Sequence, residues 1–249
     1  MTTMLDEIGW RSYPSWEVFG RQTPLGCTLA VPVSRTDHWL GSRGAPVTIV
    51  FYGDYTNAES RGVYADLKQI ESLAGRRLAV VYRHLVDLDS DGAAVRFAEA
   101  AEAAGDRGLF WAAHDRFYRH VQTASDDIAA AASEIGMDPR RLQTDLIYRT
   151  YLPTVLAHRN GARDSDSFSA PRLFINEVAV PAGVEVRELW TLVQDELRRA
   201  EETLRRTRAT RAKPAAGDRG TTATAHDYGA WAARRRTRQN ARSATAGTG

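Results

Sequence analysis

The 249-residue sequence contains one cysteine, Cys27, so the chain can form neither an intramolecular disulfide nor a zinc site built from four thiolates. No basic residue adjoins Cys27 to favour its thiolate, and we expect a small apolar side chain there. No apolar run reaches about 18 residues, the length that a membrane span requires. The N-terminal segment also lacks the apolar core of a secretory signal. These absences predict a cytoplasmic protein that does not contact a membrane.

Basic residues are concentrated at the C-terminal end of the chain. Residues 200–249 carry 11 Lys and Arg against 4 Asp and Glu, whereas the rest of the chain carries 22 against 27. Residues 209–249 are rich in Ala, Thr, Gly and Arg, and we expect them to form a basic disordered tail. The RRRTR run at 234–238, near Tyr228 and Trp231, could bind nucleic acid or an acidic partner weakly, or could act only as a solubilising appendage.

Two strand-like segments flank one helix near the start of the chain. The segment VTIVFY at 47–52 follows Pro46 and is rich in β-branched and aromatic residues, and LAVVYRHL at 78–85 is similar. Between them, residues 57–74 show a helical pattern that ends at Gly75. We expect the two strands to pair in parallel, because a helix connects them.

The remaining pattern is helical, then a hairpin, then helical again. From Asp91 to about Arg163 the residues are typical of helices, with Asp138 and Pro139 as one N-cap and first-turn pair. Two short strands around Asn176-Glu177 predict a hairpin. A last helix places five apolar residues on one face: Val186, Leu189, Trp190, Val193 and Leu197.

This order of elements predicts an α/β protein with a thioredoxin-like fold and an inserted all-helical subdomain. We divide the chain into an N-terminal extension (1–36), a first part of the thioredoxin-like domain (37–90), the helical insertion (91–165), the second part of the domain (166–208) and the tail (209–249). The extension carries regularly spaced aromatic residues and is expected to lie on the body; they are Trp10, Tyr13, Trp16 and Phe19.

Four stretches resemble the DsbA-like disulfide oxidoreductases of the thioredoxin superfamily. They are APVTIVFYGDYTNAES, VVYRHL, AEAAEAAGDRGLFWAAHD and SAPRLFIN. The lead-in PVSRTDHWLGSRGAPV is similar to the thioredoxin-type domains fused to bacterial sodium/proton antiporters. The resemblance covers residues 35–197 and implies a Cys-x-x-Cys motif where this chain has Asn57, Ala58, Glu59 and Ser60. Disulfide exchange needs a thiolate and a second, resolving thiol. We therefore expect a redox-inactive binding or accessory module without a cofactor, acting on an unknown protein or peptide partner.

The residues that replace the motif predict how the helix begins. In the sequence TNAE, Thr56 can accept from the amide of Glu59 while Glu59 reaches back to the amide of Thr56, which is a capping box. Glu59 also places negative charge at the positive end of the helix. Asn57 and Asp54 are alternative N-caps.

The resemblance further implies a cis-proline at Pro171 that faces the start of this helix. We predict a binding cleft formed by Asp54, Tyr55, Thr56, Ala170, Pro171 and Arg172. The backbone before Pro171 could pair with an extended peptide, or the loop could need the proline only to fold. The alternative function is a transferase or isomerase that binds glutathione near Ser60 and Pro171. Glutathione is the less favoured ligand, because no histidine near Ser60 in the sequence could activate its hydroxyl.

A metal site is not expected. His84, His114 and His120 are the histidines that suggest one, but His114 and His120 are six residues apart and do not share a helix face. The acidic segment 87–91 lacks the glycine and the closing glutamate of a calcium loop.

Overall fold

The computed structural model describes residues 28–88, 92–120 and 128–212, with the side chains of residues 211 and 212 excepted. Cys27, the N-terminal aromatic residues and the basic run at 234–238 lie outside this part of the chain. The described residues up to Glu202 belong to one compact unit. Those from Thr203 onward belong to a second unit, of which only the end of one helix is described.

A five-stranded mixed sheet forms the centre of the fold. Its strands are β1 (His38–Gly41), β2 (Val47–Gly53), β3 (Leu78–His84), β4 (Arg172–Ile175) and β5 (Val178–Ala179), in the order β1-β3-β2-β4-β5. The strands β2 and β3 pair in parallel, as predicted, and the other pairs are antiparallel. The strands β2 and β3 are buried on both faces, and for this reason their sequences are nearly continuous runs of apolar residues.

The register brings three chain segments to one end of the sheet. Gly53 at the end of β2 pairs with His84 at the end of β3. On the other side of β2, Tyr52 pairs with Arg172, the first residue of β4. The segments after β2 and β3 and the segment before β4 therefore meet at this end, where the predicted cleft residues lie.

The first helix has the predicted limits. Helix α1 spans Ala58–Ala74, and Gly75 follows it with φ 56°, a left-handed conformation that favours glycine. A short 3₁₀ turn, Gly75–Arg77, then leads into β3. The buried residues of α1 recur at helical spacing, and they are Ser60, Tyr64, Leu67, Ile70 and Ala74.

Among the described residues between β3 and β4 there are five helices, where the helical insertion was predicted. They are α2 (Ala93–Gly105), α3 (Phe110–His120), α4 (Ile128–Glu134), α5 (Pro139–Ile147) and α6 (Leu152–Asp164). The predicted cap of α5 is confirmed, because the Asp138 side chain accepts from the Arg140 amide at 2.9 Å and Pro139 occupies the first turn. Small residues let α2 pack closely, since seven of its alanines are buried.

The hairpin and the last helix are also confirmed. Asn176 and Glu177 connect β4 to β5 with φ of 46° and 72°, which are the two positive values of a type I′ turn. Helix α7 spans Val186–Ala212. It buries four of the five predicted apolar residues, Leu189, Trp190, Val193 and Leu197. Among the described helices, none is long and apolar enough to cross a membrane.

The segment before β2 holds one strand that sequence reasoning missed and one contact that agrees with the expected docking of the N-terminal extension on the body. Strand β1 pairs with β3 and was not predicted. The described end of the N-terminal extension is fixed to the sheet by Arg83, which donates to the carbonyls of Val31 and Pro32 at 2.7 and 3.0 Å. Arg83 also donates to both carboxylate oxygens of Asp37, at 2.7 and 3.0 Å, in a buried ion pair. This segment is therefore part of the folded body.

Candidate functional site

Asn57 is the N-cap of α1. It has extended backbone angles, and its Oδ1 accepts from the amide of Ser60 at 2.7 Å. The amide and hydroxyl of Thr56 both donate to Asp54 Oδ1 at 2.8 Å, so the Thr56 amide donates to Asp54 and not to the Glu59 side chain. The predicted capping box of Thr56 and Glu59 is therefore wrong, and the alternative cap Asn57 is confirmed. Glu59 is exposed in the first turn of the helix, beside the exposed Ala58.

Ser60 lies inside the fold and does not line a cleft. Its exposed fraction is 0%, and its hydroxyl oxygen accepts from the Asp54 amide at 3.3 Å. Asp54 itself is buried, and burial raises the pKa of its carboxyl although the hydrogen bonds from Thr56 oppose this shift. A glutathione thiol therefore has no exposed hydroxyl at Ser60 to bind, and the predicted enzymatic use of this serine has no structural support.

Tyr55 belongs to the aromatic core of the protein. Only 1% of it is exposed, its ring stacks on Tyr82 with centroids 5.4 Å apart, and its hydroxyl lies 3.2 Å from His114 Nδ1. Burial raises the pKa of the Tyr55 hydroxyl well above its usual value. Asp54 and Tyr55 were both predicted to line the cleft, and this prediction is wrong for both, because these two residues after β2 turn inward before α1 begins.

The part-exposed residues of the predicted site lie on two loops. Thr56 and Asn57 precede α1, and Ala170, Pro171 and Arg172 precede and begin β4. The peptide bond between Ala170 and Pro171 is cis, as the resemblance implied. Tyr52 pairs with Arg172, the first residue of β4. Pro171 therefore lies just beyond this pair, at the end of the sheet where Gly53 leads into the loop before α1.

The backbone before β4 has an open side. Strand β5 is two residues long, and its ladder with β4 ends where Val180 donates to the Leu173 carbonyl at 2.9 Å. Pro181 follows and has no amide to extend the ladder. Among the residues that the structure describes, no strand pairs with Ala170 or Pro171.

A second group of polar side chains, which the sequence did not reveal, lies at the end of β3. Glu102 of α2 is buried, and His84 Nε2 donates to its Oε1 at 2.8 Å. His38 Nε2 lies 3.0 Å from the other carboxylate oxygen, Oε2. Burial alone would raise the pKa of Glu102, but the hydrogen bonds from His38 and His84 lower it well below its usual range. Glu102 is therefore ionised between two imidazoles.

His158 of α6 completes this group. Its Nδ1 lies 4.0 Å from Glu102 Oε1 and accepts from the His84 amide at 3.4 Å. Burial lowers the pKa of His158 to about 3, so its ring is neutral at physiological pH. The ligand atoms of His84, Glu102 and His158 all lie within 4.8 Å of one another. We name these three residues the His-Glu-His cluster.

Only one of the three histidines considered from the sequence belongs to this cluster. His114 is buried beside Tyr55, and His120 is exposed at the end of α3. Glu102 and His158 come from helices that are far apart in the sequence. No local sequence motif connects them to His84. The expectation that there is no metal site therefore did not take Glu102 and His158 into account.

Comparison with known proteins decides the family. A family model described as thioredoxin matches residues 33–195. The chain belongs to the thioredoxin family. Among solved structures, it is similar to oxidised BdbD from Bacillus subtilis, with a TM-score of 0.62 and 17% identity over 70% of this chain and 99% of that chain. It is also similar to a thioredoxin-like oxidoreductase from Silicibacter pomeroyi DSS-3, with a TM-score of 0.57 and 26% identity over 68% and 94%.

The curated relatives of the chain are named as sodium/proton antiporters. The chain is 34% identical over 157 residues to the Na(+)/H(+) antiporter NhaA 1 of Salinispora arenicola, a match that covers 59% of this chain and 23% of the relative. It is 28% identical over 176 residues to the antiporter of the same name from Mycolicibacterium gilvum, covering 68% and 28%. The chain thus spans about a quarter of the length of these relatives. The predicted resemblance to antiporter-linked thioredoxin-type domains is confirmed. With one cysteine in 249 residues, this member has no Cys-x-x-Cys motif.

Proposed function

We propose that this thioredoxin-family chain is a redox-inactive module that binds an extended polypeptide along residues 170–172, next to the start of α1. The observation that carries the proposal is that no described strand pairs with the backbone of Ala170 and Pro171, at the end of the sheet where α1 begins. An extended chain can add to such a backbone through main-chain hydrogen bonds, with side-chain contacts supplying specificity.

The chemistry at the helix start supports binding without exchange. A disulfide reaction needs a thiolate that attacks sulfur and a second thiol that resolves the product. At the family's two positions the chain has the amide of Asn57 and the hydroxyl of Ser60. The amide oxygen already caps the helix and the hydroxyl is buried, so both groups stabilise α1.

Arg172 gives the surface a charge preference. It is partly exposed, and its guanidinium carbon lies 6.0 Å from the Phe174 ring centre. Its Nε is buried without a hydrogen-bond partner among the described residues. A carboxylate on the bound polypeptide would supply an acceptor for this guanidinium group, so the module favours segments with an acidic residue.

Backbone amide NMR spectra test this proposal. An unstructured, cysteine-free peptide containing Asp and Glu should shift the amide signals of Ala170 and Arg172, and a version with Lys at those positions should shift them less. Arg172→Gln should weaken the acidic peptide's binding, whereas Arg76→Gln, at the opposite end of β3, should not. If neither peptide moves these amide signals, the proposed surface is wrong.

Glutathione should give no heat of binding in titration calorimetry, and micromolar affinity would favour the transferase alternative.

We place the protein in the cytoplasm as part of this proposal. Its support is the single cysteine of the chain, since proteins of oxidising compartments commonly carry disulfides. Fractionation of the native host should recover the chain with cytoplasmic markers. One similar solved structure is named a periplasmic thioredoxin-like protein from Salmonella enterica serovar Typhimurium, and recovery with periplasmic markers would contradict the placement.

A further inference from the structure

The His-Glu-His cluster draws its members from three separate elements. His84 ends β3, Glu102 lies near the end of α2, and His158 lies within α6. Each element is fixed independently, since β3 is central in the sheet and both helices pack in the body. The tertiary fold therefore brings the two imidazoles and the carboxylate together.

The spacing within the cluster is close to that of metal ligands. In a tetrahedral zinc site with bonds of about 2.0–2.2 Å, neighbouring ligand atoms lie roughly 3.3–3.6 Å apart. His84 Nε2 lies 2.8 Å from Glu102 Oε1, and His158 Nδ1 lies 4.0 Å from the same oxygen. To reach that spacing, the distance from His84 to Glu102 must lengthen and the distance from His158 to Glu102 must shorten, each by about half an ångström. All three ligand atoms lie within 4.8 Å of one another before any such adjustment.

His38 has the role of an outer partner to this cluster. Its Nε2 is 3.0 Å from Glu102 Oε2, the carboxylate oxygen that does not face His84 and His158. Metal-binding carboxylates are commonly hydrogen-bonded in this way, and the outer partner fixes the ligand's orientation. Glu102 Oε1 is thereby left as the oxygen available to an ion.

The cluster and its outer partner are not fully enclosed by the protein. The side chains of His158 and His38 are 17% and 19% exposed. The bond that His158 would give up, to the His84 amide, is 3.4 Å long and therefore weak.

We propose that His84, Glu102 and His158 bind one zinc-class divalent cation, with His38 positioning the carboxylate. Two imidazoles and one carboxylate oxygen suit zinc and its first-row neighbours, whereas Mg²⁺ and Ca²⁺ prefer sites made of oxygen atoms. The fourth position of a tetrahedral ion is left for water. The proposed ligands come from β3, α2 and α6, whereas the residues of the peptide surface come from the loops before α1 and β4.

Titration of the chelator-stripped full chain with Zn²⁺ by calorimetry, and with Co²⁺ by visible absorption, tests the proposal. We expect one equivalent of each metal to bind, and Co²⁺ to give the strong visible bands of a tetrahedral ion. His158→Gln should weaken Zn²⁺ binding at least tenfold, and His38→Gln by about 10–100-fold, the range found when outer partners are removed. His158 is the preferred target because it is partly exposed, and circular dichroism checks that the variant is folded.

Two matched variants serve as controls for this experiment. His120→Gln removes an exposed histidine outside the cluster, and Cys27→Ser removes the one thiol in the chain. Both should bind Zn²⁺ like the unmodified protein. Absence of stoichiometric binding, or unchanged affinity in folded His158→Gln, overturns the proposal. Loss of binding in Cys27→Ser together with retention in His158→Gln would place the metal elsewhere and also overturns it.

Discussion

Replacing Asn57 by alanine should destabilise the protein, because the side chain is the N-cap of α1. Its Oδ1 accepts from the amide of Ser60 at 2.7 Å, and Ser60 has no exposed surface. Removing an N-cap side chain costs about 0.5–2 kcal/mol. Here the amide would be left buried without an acceptor, a situation that costs roughly 1–3 kcal/mol. We therefore expect Asn57→Ala to lower the free energy of unfolding by about 1–2 kcal/mol.

Urea denaturation followed by circular dichroism measures this loss. With urea m-values of roughly 1–3 kcal/mol/M, a loss of 1 kcal/mol lowers the midpoint by about 0.3–1 M without changing the slope. Glu59→Ala is the matched control, because Glu59 is exposed and should contribute only the helix-dipole interaction, about 0.3–1 kcal/mol. A larger loss for Glu59→Ala than for Asn57→Ala would restore the capping box and refute the structural assignment.

Arg83→Met should lower the free energy of unfolding by about 3–5 kcal/mol, because it leaves the buried Asp37 carboxylate without its partner. Arg119→Met, which breaks an exposed pair, should change it by less than about 1 kcal/mol in the same denaturation assay. Stability should also fall as the pH drops below 6.5, since burial lowers the pKa of His114 far below that value and only the unfolded chain binds its proton. The slope contributed by this one group is at most about 1.4 kcal/mol per pH unit, and His114→Gln should show a shallower decline between pH 7 and pH 5.

The parts of the fold that sequence reasoning predicted correctly are those set by local patterns. The strand β2 follows a proline and consists of β-branched and aromatic residues, and α1 ends at a glycine. Asp138 caps α5 because its short polar side chain precedes a proline in the first turn. In each case the residues that determine the element lie within a few positions of one another, so the sequence alone contains the signal.

The missed features depend on residues that are distant in the sequence. Strand β1 is four residues long, and pairing with β3 defines it. Three of the four residues that precede α1, Asp54, Thr56 and Asn57, have side chains that can cap a helix, and the backbone angles and the hydrogen bond from the Ser60 amide identify Asn57 as the cap. Glu102 appears within an alanine-rich helix, and nothing near it in the sequence indicates that His38, His84 and His158 surround it.

The central claim is that Asn57 and Ser60 occupy the positions of a lost dithiol, and restoring that dithiol tests it most directly. In a Cys27→Ser background, Asn57→Cys and Ser60→Cys should be introduced together, and the protein exposed to oxidised glutathione, alkylated and weighed by mass spectrometry. The N-cap and the third helical residue lie within the 4.4–6.8 Å that a disulfide allows between Cα atoms. The account predicts one internal disulfide that protects both thiols from alkylation. It also predicts a thiol at position 57 whose pKa lies below the roughly 8.5 of free cysteine. A folded variant in which both thiols remain open to alkylation would contradict the account.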